Sequence, residues 1–391
     1  MRSPTVLSVH NSYRQLGGED QVFASEGALL EGAKHRVVYY QDDNSRVRSG
    51  LIAGAGASWN TRSYGRLKRL VREHRPDVAH FHNTFPLISP AGYYAVRRLG
   101  VPVVQKLSNF RLLCPGGLLL RDGVPCEDCI EHGSLRPAIA HGCYRGSRLA
   151  TCAVAAMLGV NRAAGTYQRQ VDVYIALSEF ARRKFIAGGL PQDRIVVKPN
   201  FVAPDPGPGQ GQGGYALFAG RLSEEKGIGA LTRGWHVLGD IPLKVAGDGP
   251  LREAQWPANV TPLGHQSRES VLTLMKDALV LVFPSICYEN APVTIAEAFA
   301  CGLPVIASNL GSIPEFVRHR YNGLLFEPGD AEDLARQVRW AFDHPQELRA
   351  MRANARREFE EKYTAERGYK MLMAVYEMAI ENSQRRRREA S

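Results

Sequence analysis

The chain has 391 residues, of which 44% are hydrophobic and 23% are charged, a composition typical of a globular protein with two domains of ordinary size. It contains no apolar run of about 18 residues, and its N-terminus leads directly into a predicted strand. We therefore expect neither a membrane span nor a signal peptide, and we expect a cytoplasmic protein.

The net charge of +10 is concentrated in residues 1–198, where 27 Lys and Arg stand against 15 Asp and Glu. A basic half suits nucleic acid, phosphorylated substrates or the anionic inner face of a membrane. Nucleic acid is disfavoured because there is no helix-turn-helix, zinc-finger or RNP-like signature. A solvated basic surface without a partner is the remaining alternative.

Strand and helix signals alternate through the first half of the chain. Each predicted strand is a short apolar run, and helix-compatible segments such as 19–30 and 89–99 separate them. The predicted strands are 5–10, 35–40, 77–82, 101–107 and 171–177. This alternation predicts βαβ units and a doubly wound parallel sheet.

A segment rich in Pro and Gly, 201–214, interrupts this pattern and predicts an interdomain linker. A second round of strands follows at 215–220, 242–247, 278–283, 303–308 and 323–326, and residues 331–382 are predicted to be helical before a frayed basic tail, QRRRREAS. The prediction is therefore an α/β protein with Rossmann-like domains at 1–200 and 215–365, the linker between them, and a helix and tail at 366–391. Ligands of such folds bind at the carboxyl ends of the strands, here in the cleft between the two domains.

Two glutamates, Glu289 and Glu297, lie eight residues apart in YENAPVTIAEAFACG. A single helix would turn them in different directions, whereas the apolar run before them predicts a strand, a loop and then a helix over 291–300. Asn290 is the predicted cap of that helix and Pro292 lies in its first turn. Both acids would then face the loop, where backbone amides attract anions and carboxylates bind hydroxyls, as a sugar joined to phosphate requires. The alternative is a surface turn followed by a buried helix.

The turn RLSEEKG, after the first strand of the second half, carries Arg221 and Lys226. Arg offers a fork that matches phosphate oxygens and Lys offers a mobile charge, so the two could bind a diphosphate. The next strand ends in GDGP, where Gly247 lets the backbone approach a ligand closely.

Three motifs of the second half, taken in chain order, resemble the donor-binding half of the retaining glycosyltransferases of family 4 (glycosyltransferase group 1), which have the GT-B fold. They are G-R-L-x-x-x-K-G, then G-D-G-P, then E-x7-E before A-C-G-L-P-V-I-A. In the first half, GGED is similar to the family's glycine loop, and HFHNTFP places His82 where the family has a histidine beside the reacting sugar. Residues 177–185 and 196–202 also match, and the family's C-terminal helix generally crosses back to the first domain, as 363–379 could do.

The resemblance implies a hexosyltransferase-type enzyme of polysaccharide biosynthesis that uses a UDP or GDP sugar, retains the anomeric configuration and acts on a glycan or lipid-linked acceptor. It assigns Glu297 to the ribose hydroxyls, Glu289 to the donor sugar, and Arg221 and Lys226 to the diphosphate. Because these two cations can neutralise the leaving group, no catalytic metal is expected. His82 would orient or polarise the sugar, unless it is only a structural histidine at the end of a strand. The further donor-binding residues implied are Gly17, Gly18, Gly247, Asn290, Ala291, Pro292, Val293 and Thr294.

The acceptor side departs from the family pattern. Many relatives have a histidine in T-x-H-[DN]-[YF]-R, whereas this chain has Ser108 there, which keeps a hydrogen bond but loses the titratable ring. The acceptor-side candidates are Glu19, Ser108, Asn109 and Arg111.

The seven cysteines, an odd number, argue against a disulfide framework. Four of them, Cys114, Cys126, Cys129 and Cys143, lie in an insert at 112–146 that could bind a structural zinc ion. Reduced thiols in a packed loop and a redox-sensitive pair are the alternatives.

Two further classes of function stay open at this stage. One is a nucleotide-sugar epimerase of the same fold, although its expected histidine and acid pattern is absent. The other is a non-catalytic interaction protein with a zinc loop on a GT-B scaffold.

Overall fold

The computed structural model describes residues 4–12, 17–44 and 57–390, the last without its side chain; Ser391, the end of the predicted tail, lies outside them. The chain forms two compact units. One comprises the residues up to Leu119, Glu127–Lys198 and those from Gly368 onward, and the other comprises Leu120–Cys126 and Pro199–Arg367.

The first unit is built on a six-stranded sheet in which every pairing is parallel. Its strands lie in the order β2-β1-β3-β4-β7-β8. Their bounds are Val6–Ser12 (β1), Val37–Asp43 (β2), Val78–Asn83 (β3), Val103–Lys106 (β4), Val173–Ala176 (β7) and Ile195–Val197 (β8). The last was not predicted because it is only three residues long.

The helices of the first unit follow its strands along the chain. They span Gly18–Gly32, Thr61–His74, Ala91–Arg97, Asp128–Glu131, Arg136–His141, Arg148–Ala163, Thr166–Arg169 and Glu179–Ala187, with a 3₁₀ turn at Gln192–Arg194. Thr61–His74 is amphipathic: Leu67 and Val71 are buried while its arginines lie on the exposed side.

The second unit has the strand order β11-β10-β9-β12-β13-β14, again entirely parallel. These strands are Ala216–Ala219 (β9), Leu243–Ala246 (β10), Val260–Gly264 (β11), Val280–Phe283 (β12), Val305–Ser308 (β13) and Gly323–Phe326 (β14). A separate short hairpin pairs Leu120–Arg121 (β5) with Val124–Pro125 (β6). Alternate residues of β9 and β12 belong to two different hydrophobic clusters, so both faces of this sheet are buried. This explains why its strands are continuous apolar runs.

Six helices flank the second sheet: Ile228–Leu238, Arg268–Asp277, Val293–Ala300, Ile313–Phe316, Ala331–Asp343 and Pro345–Lys362, with a 3₁₀ turn at Glu224–Lys226. A final helix, Ala365–Ala390, belongs to the first unit from Gly368 onward. The predicted return of the C-terminal helix to the first unit is therefore confirmed.

Residues 331–382 are helical as predicted and form three helices, because Pro345 opens the second and a break at Tyr363 and Thr364 precedes the third. Two local predictions were wrong. The basic tail is helical as far as Ala390. Its side chains are anchored on the first unit, where Arg386 pairs with the buried carboxylate of Asp172.

The second error concerns the cap of the helix Val293–Ala300. Its N-cap is Pro292, in an extended conformation, and the helix begins two residues later than predicted. Asn290 is buried in the loop instead, with 6% of its surface exposed. A prolyl residue fixes φ near the value that a helix entry needs, so no side-chain cap is required to define this start.

Candidate active site

The two sheets place the predicted site residues at their topological switch points. In the second unit the strand order reverses between β9 and β12, which pair through Val280 with Ala216 and Leu281 with Leu217. The loop after β9 carries Arg221 and Lys226, and the loop after β12 carries Glu289. Open α/β sheets bind ligands at this position, because the loops on either side diverge there and leave a crevice.

Two glycines allow the loops of the second unit to pack backbone against backbone. A Cβ on Gly227, which has φ of 74°, would lie 1.8 Å from the carbonyl oxygen of Pro284. A Cβ on Gly247 would lie 1.9 Å from the carbonyl oxygen of Gly220. The motifs therefore need glycine to bring the β9, β10 and β12 loops together.

Lys226 and Glu289 form an ion pair across these loops. Oε1 of Glu289 accepts hydrogen bonds from Nζ of Lys226 at 2.6 Å and from Oγ of Ser285 at 2.7 Å. Burial alone would lower the pKa of Lys226, but the carboxylate of Glu289 outweighs it and raises that pKa. Both side chains keep some exposed surface, 27% for Lys226 and 14% for Glu289. The pair is thus held in a fixed position and still accessible.

Arg221 lies beside this pair in sequence but is exposed. In the part of the chain that the structure describes, its guanidinium makes no ion pair. An exposed, unpaired arginine next to a paired lysine is free to turn toward an anionic ligand.

The loop from Asn290 to Thr294 is held from both sides. Oγ of Ser312 donates to the carbonyl of Glu289 at 2.5 Å, and Nδ2 of Asn200 donates to the carbonyl of Ala291 at 3.1 Å. Ala291, Pro292, Val293 and Thr294 are only partly buried. The backbone N–H groups of Val293 and Thr294 open the helix at a place that a ligand can reach, which favours an anion or a hydroxyl oxygen; Pro292 has no N–H to offer.

Glu297 lies inside the helix Val293–Ala300 with 6% of its surface exposed. Its Oε1 accepts a hydrogen bond of 2.7 Å from Nε of Arg268, which opens the helix Arg268–Asp277. Nη1 of the same arginine donates to the carbonyl of Ala203 at 3.1 Å. Sequence reasoning missed Arg268, because it belongs to no motif and lies 29 residues from its partner.

In the first unit, a fully buried charge cluster surrounds Glu26. Its Oε1 accepts hydrogen bonds from Nζ of Lys198 at 2.7 Å and of Lys106 at 3.0 Å. Its Oε2 lies 3.7 Å from Nδ1 of His82 and 4.0 Å from Nδ1 of His80. We call these five residues the Glu26 cluster; only His82 was singled out from the sequence.

The protonation states in the Glu26 cluster follow from burial and charge. Burial lowers the pKa of His82 well below its usual value and that of His80 to about 3, so both imidazoles are neutral. Burial alone would raise the pKa of Glu26, but the ammonium groups of Lys106 and Lys198 outweigh it and hold that pKa well below its ordinary value. A neutral His82 acts through its ring nitrogens as one donor and one acceptor.

Glu26, His80 and His82 also have their ligand-type atoms within 4.8 Å of one another. The two lysines, however, already occupy Oε1 of the carboxylate. A metal cation would have to bind beside two ammonium groups, and this arrangement disfavours it.

Two acceptor-side candidates contact each other in the first unit. Nδ2 of Asn109 donates to Oε1 of Glu19 at 2.9 Å, and Oδ1 of Asn109 accepts from the backbone N–H of Arg111 at 3.0 Å. In the glycine loop, the backbone N–H of Gly17 donates to Asp20, whose other oxygen contacts Nε2 of His10. The glycine loop and the segment after β4 are therefore joined by side chains.

Arg111 is held between aromatic rings. Its guanidinium lies 4.9 Å from the ring centroid of Phe85 and 5.3 Å from that of Tyr144, and it also bonds to the carbonyl of Pro115. Together with His82, Ser108 and Asn109 it lines a small cavity of about 40 Å³. These contacts fix the Arg111 side chain where it forms part of the wall of the cavity.

The cysteine-rich insert packs near this wall. Cys114 and Cys129 are each 8% exposed, and Cys143 is partly buried. A Cβ on Gly116 would be 3.5 Å from Sγ of Cys114 and 3.7 Å from Cβ of Cys143, so these two cysteines are neighbours. The apolar sequence contexts of the other three cysteines predict core residues; Cys287 and Cys301 are buried accordingly, whereas Cys152 is exposed on its helix, contrary to this prediction.

The fold and these loops define a GT-B protein, and comparisons with known proteins identify its family. Residues 3–200 match the glycosyl transferase 4-like domain, and residues 208–358 match the glycosyl transferases group 1. The chain therefore belongs to the group 1 glycosyltransferases, as the sequence motifs predicted.

Individual relatives are more distant. An uncharacterized glycosyltransferase of Methanocaldococcus jannaschii is 30% identical over 180 residues, which cover 42% of this chain and 45% of the relative. The match thus spans about half the length of that relative. The 2-deoxystreptamine glucosyltransferase of Streptomyces kanamyceticus is 26% identical over 86% of both chains. Among solved structures, Anabaena HepE in complex with UDP and glucose is 18% identical and aligns over 95% of this chain and 99% of its own, with a TM-score of 0.67.

Proposed function

We propose that this protein is a retaining glycosyltransferase that moves a sugar, of hexose type, from a nucleotide-sugar donor to a hydroxyl of a glycan or lipid-linked acceptor. The observation that carries the proposal is the pairing of Lys226 with Glu289 at the switch point of the second sheet. A cation and a carboxylate at one accessible place match a ligand that joins phosphate to sugar hydroxyls.

Each part of the donor has a matching group in the second unit. Glu297 accepts hydrogen bonds from the ribose hydroxyls, and Arg221 and Lys226 bind the diphosphate. Glu289 binds the sugar, and the backbone N–H groups in the segment 290–294, in which Pro292 has none, bind sugar or phosphate oxygens. Anabaena HepE has been solved in complex with UDP and with UDP-glucose, which supports a donor of the UDP type.

The same residues supply the catalysis. Two cations at the diphosphate stabilise the negative charge that develops on the leaving group, so the proposal needs no catalytic metal. Front-face attack, in which the departing phosphate takes the acceptor proton, gives retention without a carboxylate nucleophile. His82 is neutral and can hydrogen-bond a sugar hydroxyl, which orients the sugar without attacking it.

The acceptor belongs to the first unit in this proposal. Ser108, Asn109 and Glu19 offer hydrogen bonds at the ends of β4 and of the glycine loop. The helix Thr61–His74 of the same unit presents exposed arginines, which suit an anionic or lipid-linked acceptor at the inner face of a membrane. None of the described helices is long and apolar enough to cross a membrane, so such contact would be peripheral.

We also propose a structural zinc ion in the cysteine-rich insert. Thiolates of Cys114, Cys126, Cys129 and Cys143 are the ligands that the sequence predicts. Metal analysis of the purified protein should give about one zinc per chain, and Cys129→Ser should lose it together with thermal stability. A zinc-free protein whose stability is unchanged by a chelator would contradict the assignment.

Donor hydrolysis in the absence of acceptor tests the transferase directly. The purified protein is incubated with UDP-glucose, UDP-galactose or GDP-mannose in the presence of EDTA, and the released sugar is observed by proton NMR before it mutarotates. Slow release of the α anomer from an α-linked donor supports retention without metal. Release of the β anomer, or turnover only after addition of a divalent cation, would contradict those parts of the proposal, and no turnover on any donor would contradict the transferase.

A further inference from the structure

Arg268 occupies a position that its own helix disfavours. It is the first residue of the helix Arg268–Asp277, where the unpaired N–H groups carry partial positive charge and an acidic residue is preferred. Ser267 caps this helix by accepting from the backbone N–H of Ser270, so no cation is needed there for local structure. A residue that breaks a local rule is expected to serve a contact elsewhere in the fold.

That contact is Glu297. Nε of Arg268 donates to Oε1 of Glu297 at 2.7 Å, and Nη1 donates to the carbonyl of Ala203 at 3.1 Å. Two bonds from one planar guanidinium, made to two separate segments of the second unit, fix its orientation. The carboxylate is consequently held by a group that cannot rotate freely.

The orientation of the Glu297 carboxylate has to be fixed by contacts with other residues. A glutamate has several rotatable bonds, and 92% of this side chain's surface is removed from solvent. Binding a hydroxyl pair requires that the carboxylate oxygens already point at it, because ordering a flexible side chain at binding costs affinity. A fixed guanidinium on Oε1 provides that order and still leaves the carboxylate further acceptor capacity.

We infer that Arg268 is a positioning residue for the donor: it orients Glu297 so that the carboxylate accepts hydrogen bonds from the ribose hydroxyls. This inference rests on the proposed function of the second unit. It adds a residue outside the motifs, and it predicts that the effect of Arg268 depends on the ribose and not on the diphosphate.

Ribose analogues separate this role from a merely structural one. Dissociation constants are measured by calorimetry for UDP and 2′-deoxy-UDP, and for GDP and 2′-deoxy-GDP, against the wild-type protein, Arg268→Gln and Arg268→Lys. Arg336→Gln is the matched control, because Arg336 is 64% exposed on another helix of the same unit.

The wild-type protein should bind the ribonucleotide about tenfold or more tightly than its 2′-deoxy analogue. Arg268→Gln should weaken binding of the ribonucleotide by a similar factor and leave the affinity for the 2′-deoxy analogue nearly unchanged. The ratio of the two dissociation constants should therefore come close to one. Arg268→Lys should restore part of the ratio, because lysine keeps the charge but not the second bond.

The contrary results are distinct. If Arg268→Gln weakens the binding of ribonucleotide and 2′-deoxy analogue equally, or makes the ribonucleotide bind more tightly by releasing Glu297, the positioning role is overturned. If the wild-type protein binds no nucleoside diphosphate at all while it remains folded, the proposed function fails and the inference fails with it.

Discussion

The two units use carboxylates in opposite ways. In the second unit, Glu289 pairs with Lys226, whose side chain is 27% exposed, and Glu297 pairs with Arg268, whose side chain is 33% exposed. In the first unit, Glu26 is 1% exposed and pairs with two lysines that are also buried. A pair that reaches solvent is accessible to a ligand, whereas the charges of a buried cluster hold the fold and orient the side chains that touch them.

Because of this difference, mutations of carboxylate–cation pairs should have different consequences in the two units. Charges in the Glu26 cluster have lost their water and depend entirely on one another. Charges in the loops of the second unit retain water and contribute little to stability. We therefore expect mutations of these charges to change the free energy of unfolding in the first unit, and ligand affinity and turnover in the second.

The largest effect should come from Glu26→Ala. It leaves Lys106 and Lys198 buried without their carboxylate, and breaking a buried pair in this way costs about 3–5 kcal/mol of unfolding free energy. Urea denaturation measures this change. The double variant Glu26→Gln, Lys106→Met should recover part of the loss, because apolar replacement removes one buried charge; a single variant as stable as the wild type would show that the cluster is not sealed.

The next effect should come from Lys226→Ala. Removing the cation from the leaving group should lower kcat/KM for donor hydrolysis by about 10²–10³-fold. The unfolding free energy should change by only about 1 kcal/mol, since the pair is partly exposed. Arg336→Gln again serves as control, and a Lys226→Ala enzyme with unchanged kcat/KM would remove the basis for electrostatic leaving-group stabilisation.

Acid should weaken the fold through the first unit. The pKa of His80 is about 3 when folded and near 6.5 when unfolded, and that of Glu26 is also lowered by folding. The unfolded chain therefore binds more protons, so stability is fully present above about pH 6.5 and is lost as the pH falls, by about 1.4 kcal/mol for each unit of pKa difference.

Urea midpoints measured from pH 8 to pH 4 test this dependence. His80→Phe should flatten the slope between pH 6.5 and pH 4, because it removes one of the titrating groups. An equal slope in both proteins would mean that His80 does not take up its proton on unfolding.

The smallest effect should come from the basic helix Thr61–His74. Arg69→Glu and Arg72→Glu lie on its exposed side, and each should weaken binding to phosphatidylglycerol vesicles about fivefold or more at low salt. Binding of UDP should not change. Unaltered vesicle binding in the double variant would remove the membrane part of the proposed acceptor.

The predictable part of this molecule is the part encoded locally. The strands β9 and β12 are apolar runs because both faces of their sheet are buried, and Glu289 and Glu297 stand out because a proline lies between them. The cap at Asn290 could not be predicted correctly, since Pro292 suits both the first turn and the cap, and only the packing of the loop decides between them.

What escaped prediction depends on contacts distant in sequence. Glu26 looks like an ordinary polar residue of an amphipathic helix, and only the fold brings Lys198 to it from 172 residues away. Arg268 carries one signal, a cation at the start of a helix, but its partner cannot be read from the chain. The tail was predicted to fray because its arginines look solvated, yet Arg386 finds Asp172 buried in the first unit.

Calorimetric titration of UDP and GDP into the wild-type protein, Glu297→Ala and Glu26→Gln, all in EDTA, tests the contrast between the two units most directly. We predict saturable binding of one nucleotide to the wild-type protein, binding at least tenfold weaker to Glu297→Ala, and nearly unchanged affinity in folded Glu26→Gln. Absence of binding to the folded wild-type protein, or equal affinity in Glu297→Ala, would contradict a donor site at the switch point of the second unit.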